Sequence, residues 1–332
     1  MTVTTAQRNV TAPRRKGWKT TGWQGITVQT PPDWSLVGYG GDAKSGNMRV
    51  DNGAATGSAL GLEVRWSQVK GKITDADLER RLEPFFKAVA KGARKQKGLA
   101  KTETRVLTDD RFPERDAVRA FGWRADRKGV GRLWHCTECG RLCIAQVVGS
   151  AGGDFTGTAN DVLASLECHS SEAGWRTWAL YDLLTQVPTD YALKGPPQLM
   201  NIYLQLNFQR GQSLDTLSVE QWSVANVQLR GAYLDEWYRS KNGVLEPTLR
   251  YEPGEAAAHG HPALELIGRR GGLHYWAGQA AGQVMKLHRP ATHFAAVLWE
   301  CPESNKITLV QSLSRSPQPD LVREIVERTP CH

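Results

Sequence analysis

No stretch of this chain approaches the run of about 18 apolar residues that a membrane-crossing helix needs, and the mean hydropathy is −0.45. A helical span or membrane insertion is therefore not expected. The first residues, MTVTTAQRNVTAPRRKG, lack the apolar core of about 7 to 15 residues found in a secretory leader. They read as a polar tail, and a cytoplasmic location is expected. Catalytic signatures are missing too: there is no G-x-x-x-x-G-K-S/T phosphate loop, no G-x-G-x-x-G opening a helix, no G-x-S-x-G elbow and no H-E-x-x-H pair. The glycine-rich GYGGDAKSG at 38–46 reads as a hairpin loop, with no helix behind it to cradle phosphate. The carboxylates Asp109 and Asp110 lie in polar turn sequence with nothing apolar to raise a pKa, so acid–base chemistry has no support. The expectation is a protein that is not an enzyme.

What is present is an ordinary globular composition: 332 residues, 40% hydrophobic and 23% charged. That length suits two domains, each able to bury a core without disulfides or metal. The formal charge of +8 permits acidic partners, nucleic acid among them. Most basic residues are dispersed. One cluster lies in the tail (Arg14, Arg15, Lys16, Lys19) and a second surrounds a helix end (Lys87, Lys91, Arg94, Lys95, Lys97, Lys101). The second cluster either complements the helix dipole or forms a patch for nucleic acid, which is the alternative function.

Self-comparison shows a tandem repeat. LWHCTECGRLCIAQ (133–146) aligns without a gap to LWECPESNKITLVQ (298–311), so that Leu133, Trp134, Cys136, Glu138 and Gln146 match Leu298, Trp299, Cys301, Glu303 and Gln311. Each segment is followed by a helical pattern ending in Cys-His, at Cys168-His169 and Cys331-His332. Upstream, Pro31, Asp33 and Trp34 match Pro188, Asp190 and Tyr191. The organisation read from this is a basic tail (1–19), a first repeat (20–169), a link (170–175) and a second repeat (176–332).

Alternating runs such as LEVRW, AVRAFGW, RLWHC and RLCIAQVV predict strands, while ITDADLERRLEPFFKAVAKGARKQKG predicts a helix. Thr74 and Asp77 form its capping pair, and Leu78, Leu82, Phe85 and Val89 its apolar face. Pro84 within that pattern points to a kink or a late start. Each repeat thus reads as an α+β sandwich, a mainly antiparallel sheet with helices packed on it. The element order resembles the PsbP-like superfold: an opening Pro-x-Asp-aromatic strand, hairpins, a helix, strands passing through a Gly-bounded Ala-Val/Leu segment, and a closing helix. That resemblance implies a non-catalytic protein-binding module, an accessory or scaffold subunit of a larger complex. It carries over no binding residue.

The cysteines and histidines form the one chemical constellation. Cys136 and Cys139 are spaced like a zinc knuckle on a glycine-bearing turn, and Cys168 with His169 would complete a tetrahedral zinc site if the closing helix ends beside it. In the second repeat Cys139 is replaced by Ser304. Buried thiol packing, disulfides Cys136–Cys168 and Cys301–Cys331, and an iron–sulfur role for Cys143 remain open beside zinc. The histidines of His259-Gly-His261-Pro, with His274, His288 and His293, read as structural. Of twelve tryptophans, those in the tail and link regions, Trp18, Trp23, Trp175 and Trp178, are the candidates for a partner interface.

Overall fold

The computed structural model describes residues 15–54, 59–94, 103–107, 117–242, 249–271 and 291–331. The chain divides after Asp182 into two compact units, later than the 170–175 link expected from the repeat. The reason is local. Trp175–Leu180 forms a strand hydrogen-bonded to Lys19–Trp23, with Gly22 opposite Ala179, and so belongs to the first unit.

The first unit runs β1 (Lys19–Trp23), β2 (Ile26–Thr30), β3 (Ser35–Gly41), β4 (Ser45–Asp51), β5 (Gly61–Gln68), α1 (Asp75–Arg94), β6 (Glu103–Leu107), β7 (Ala117–Arg124), β8 (Arg127–Cys136), β9 (Arg141–Ser150), α2 (Thr156–Ala164) and β10 (Trp175–Leu180). Its main sheet is antiparallel in the order β3-β4-β5-β9-β8-β7-β6. Helix α1 carries the chain from β5 to the far edge, and hairpins bring it back until β9 lies against β5. β1 and β2 form a separate hairpin, flanked by β10.

Sequence determines α1 closely. Thr74 and Asp77 cap each other, the Thr74 hydroxyl and backbone N–H donating to the Asp77 carboxylate at 2.7 and 3.0 Å and the Asp77 N–H returning a bond to the hydroxyl at 3.3 Å. These bonds hold the Asp77 carboxyl below its usual range. The helix starts where the cap dictates and continues through Pro84, whose exposed position leaves the unbonded carbonyl within reach of water. Leu78 and Leu82 face the sheet and pack with Phe121, Leu133 and Leu142. Strand alternation sends Trp134, Cys136 and Cys143 to the opposite face, where α2 buries Ala159, Val162 and Leu163.

The second unit runs β11 (Leu183–Pro188), β12 (Tyr191–Leu193), β13 (Gln198–Met200), β14 (Tyr203–Arg210), β15 (Thr216–Ser223), α3 (Ala225–Leu229), α4 (Leu234–Asn242), β16 (Leu249–Ala258), β17 (His261–Arg270), β18 (His293–Cys301), β19 (Lys306–Ser314) and α5 (Pro319–Glu327). Its antiparallel sheet has the order β12-β14-β15-β19-β18-β17-β16, with β13 added to β14, and so repeats the path of the first. Trp237 and Tyr238 of α4 pack on Leu266, Phe294, Leu298, Ile307 and Leu309. The amphipathic α5 buries Val322, Ile325 and Val326. Both units are therefore α+β sandwiches of the same strand order. Among the described residues no helix is long and apolar enough to cross a membrane.

Two of the four candidate interface tryptophans are core residues. Trp178 is 0% and Trp23 3% exposed, with ring centroids 5.3 Å apart edge to face, and the Trp23 indole N–H donates to the Gly40 carbonyl at 3.1 Å. Apolar rings on the small sheet have to be covered, and each covers the other. Trp18 and Trp175 are half-buried. Of the basic cluster, Lys87 and Lys91 are exposed on α1, while the Arg94 side chain and Lys95, Lys97 and Lys101 lie outside the described residues.

Candidate metal centre

Three pieces of chain converge at one end of the first unit. β8 ends at Cys136, and the turn to β9 carries Glu138, Cys139 and Gly140, the last with φ of +65°, where a side chain would be strained. The turn is anchored by the Gln68 amide donating to the Cys139 carbonyl at 2.9 Å and the Val69 N–H donating to the Gly140 carbonyl, also at 2.9 Å. The segment after α2 is stitched to β2 by a two-way bridge, in which Thr27 and Glu167 each donate an N–H to the other's carbonyl at 2.9 Å. That places Cys168 and His169 over the turn.

Arg141 ties the three together. Its guanidinium is buried, 5% exposed, and donates to the carbonyls of Ala43 at 3.1 Å, Cys168 at 2.8 Å and Gln24 at 2.9 Å. The repeat alignment placed Arg141 opposite Lys306 without assigning it work; the structure makes it the clamp that holds Cys168 in place.

The donor atoms of Cys136, Cys139, Cys168 and His169 all lie within 4.8 Å of one another. His169 Nδ1 is 3.6 Å from Cys136 Sγ and 3.5 Å from Cys168 Sγ, and Cys139 Sγ is 3.9 Å from Cys168 Sγ. A tetrahedral zinc with bonds of about 2.3 Å to sulfur and about 2.0–2.1 Å to nitrogen requires ligand separations of about 3.5 Å for S–N and about 3.8 Å for S–S edges. These three separations match those edges, and the remaining donor pairs lie within 4.8 Å. None of the six cysteines is disulfide-bonded in this structure, in contrast to the Cys136–Cys168 and Cys301–Cys331 disulfide alternative. Neighbouring Cys168 and His169 both reach the same point because the chain there has left α2 and is held by β2.

The imidazole is oriented from outside. His169 Nε2 lies 2.9 Å from a Glu138 carboxylate oxygen, which leaves Nδ1 directed at the sulfurs in the carboxylate–histidine–metal arrangement. Hydrogen bonds from Cys136, Cys139 and Cys143 hold the Cys168 thiol far below the ordinary thiol range. Cys139, beside Cys136 and Cys168, is pushed far above it. The same two sulfurs, Cys136 and Cys168, raise His169 to about 11. The thiols are thus tightly coupled in their protonation, and full deprotonation of the set needs a cation to supply compensating charge. Cys143, fully buried and directed at Cys168, stands behind the four as a hydrogen-bonding thiol. Replacing Glu138 by Gln is expected to lower metal affinity by about 10- to 100-fold with the fold unchanged, read by chelator competition; unaltered affinity would show that Glu138 has no orienting role.

The second unit holds a different group. Cys301 and Cys331 are buried, and His261, which belongs to the sequence expected to be a loop, places its ring beside them. His259 and Gly260, with φ of +51° and +84°, make the β16–β17 turn, so that β17 opens at His261. The clue was cross-strand register: Ala263 pairs with Trp299, which puts His261 two positions back, level with Cys301. His274, His288 and His332 lie outside the described residues.

The chain is thus an α+β protein of two like-ordered units, the first carrying a cysteine–histidine cluster able to hold a metal ion. No protein-family model and no curated protein matches it. Among solved structures, the immunity protein TplEi of the type VI secretion system from Pseudomonas aeruginosa, in complex with an "L" peptide, aligns over 96% of this chain and 99% of its own at 9% identity and a TM-score of 0.33. The Tle4–Tli4 complex aligns over 95% and 97% at 11% identity, also with a TM-score of 0.33.

Proposed function

We propose that this protein is a non-catalytic accessory subunit that binds a protein partner, with its first unit held by one structural zinc ion on Cys136, Cys139, Cys168 and His169. The observation that carries this reading is the closed ligand set. Four protein donors within 4.8 Å of one another, with three of their separations at tetrahedral edges, would fill the coordination of one zinc ion, as structural rather than catalytic sites do. The setting that goes with this reading is reduced and cytoplasmic, with none of the six cysteines disulfide-bonded.

Exposed apolar residues supply the partner surface. Leu199, Met200, Ile202, Val224 and Val227 are 37–62% exposed in the second unit, and the Ser223 N–H donates to the Ile202 carbonyl at 2.7 Å, joining the β13–β14 turn to the start of α3. Val224, a β-branched residue, sits there at φ of +55°, a conformation its side chain disfavours. Apolar side chains and backbone strain at one place mark a binding surface. The test is affinity capture from the source cell. One stoichiometric protein should be retained by the native chain and lost from a Met200→Asp, Val227→Asp double variant that keeps its zinc and its melting temperature. Retention by the variant, or capture only of nucleic acid that is released by salt and by Lys87→Glu with Lys91→Glu, would replace this reading.

A further inference from the structure

We infer that the second unit carries its own divalent-cation site, built from His261, Cys301 and Cys331, with the Glu303 carboxylate beside them. It does not depend on the first site and uses a different ligand set. The three donor atoms of His261, Cys301 and Cys331 lie within 4.8 Å of one another. A Glu303 carboxylate oxygen sits 3.4 Å from Cys301 Sγ and 3.4 Å from His261 Nε2. Around a tetrahedral zinc with bonds of about 2.3 Å to sulfur and about 2.0–2.2 Å to nitrogen and oxygen, S–O and N–O edges come to about 3.5 and 3.4 Å. Those contacts place the carboxylate on the His261 and Cys301 side of the group, while the mutually close donors are the two thiols and the imidazole.

The fold explains why the ligands change between the units. The thiol pair is common to both: the last residue of β8 or β18, Cys136 or Cys301, and the cysteine beyond the closing helix, Cys168 or Cys331. In the first unit the other two ligands are the third thiol of the turn and the histidine next to Cys168. In the second, the turn offers Ser304 in place of Cys139, and the neighbouring Glu303, though exposed, brings a carboxylate oxygen to 3.4 Å from Cys301 Sγ. The imidazole arrives sideways from β17, across the register that sets His261 level with Cys301. Glu138 and Glu303, aligned in sequence, hold similar places: each exposed carboxylate lies beside a histidine Nε2, at 2.9 Å from His169 and 3.4 Å from His261. Two thiolates and an imidazole favour zinc or a similar borderline-soft cation over calcium or magnesium. Because this group has three mutually close donors against four in the first, its cation should leave to a chelator before the first.

The experiment is cobalt(II) and zinc(II) titration of the reduced full-length chain, with stoichiometry by elemental analysis and the cobalt–thiolate absorption as a second readout. The native chain should bind two equivalents, released in two phases by chelator. Cys139→Ser and His261→Gln should each bind one, and the double variant none. Glu303→Gln, a mild change at an exposed side chain, should accelerate release of the faster phase by about tenfold or more. One equivalent in the native chain and none in Cys139→Ser would overturn the second site and leave the first standing. One equivalent kept by Cys139→Ser and lost by His261→Gln would support the second site and overturn the first. No binding by the native chain would overturn both.

Discussion

Cys139→Ser, or exhaustive chelation of the native chain, is expected to destabilise the first unit by about 4 kcal/mol when the reference is free zinc at about 1,000 times its dissociation constant. Denaturant unfolding followed by tryptophan fluorescence would measure it. The unit should lose stability without losing its fold. Trp34 and Trp134 in its core are 1% and 0% exposed and owe nothing to the ion, unlike the core of a zinc finger. A change below about 1 kcal/mol would mean that the cluster is packed thiols. The pH dependence separates the two states. With metal removed, His169, raised to about 11 by the Cys136 and Cys168 sulfurs, contributes stability that is complete below its ordinary value of 6.5 and is lost as the pH rises through 11. With metal bound that proton is absent, and stability is lost instead as the pH falls and protons displace the ion. The same slope with and without zinc would contradict the assignment.

Arg141→Met should be nearly as damaging, at about 3 kcal/mol or more. The substitution keeps much of the stem volume but removes the donors from the carbonyls of Ala43, Gln24 and Cys168. Buried acceptors left unbonded cost about 1–3 kcal/mol each, with partial relief from water. The variant should also bind zinc more weakly, because the Cys168 segment loses its clamp. Arg141→Lys should rescue only part of either loss: an ammonium cannot span three carbonyls as the planar guanidinium does. Urea denaturation and zinc competition on the three chains would decide it, and a fully stable Arg141→Met would show the clamp to be dispensable.

Much of the first site was legible in the chain because its ligands are local signals. Cys136 and Cys139 share one turn, Cys168 and His169 are adjacent, and the repeat pointed to the end of the closing helix. The cap of α1 was equally readable, since Thr74 and Asp77 interact three residues apart whatever the rest of the chain does. The strand pattern likewise announced two sandwiches. Other features depend on which strands become neighbours. His261 looked like part of a polar loop until the register of β17 with β18 placed it beside Cys301, and Arg141 was one more conserved-sign position in the repeat until three distant carbonyls closed on it. Trp23 and Trp178, read as surface because they lie near the tail and the link, are buried against each other since β1 and β10 share a sheet. Local spacing and alternation determined the elements, the helix cap and the cysteine–histidine cluster of the first unit. Strand pairing over long sequence separations alone decided the Arg141 clamp, the second ligand group and which tryptophans face water, because burial and cross-strand contact are properties of the assembled sheet.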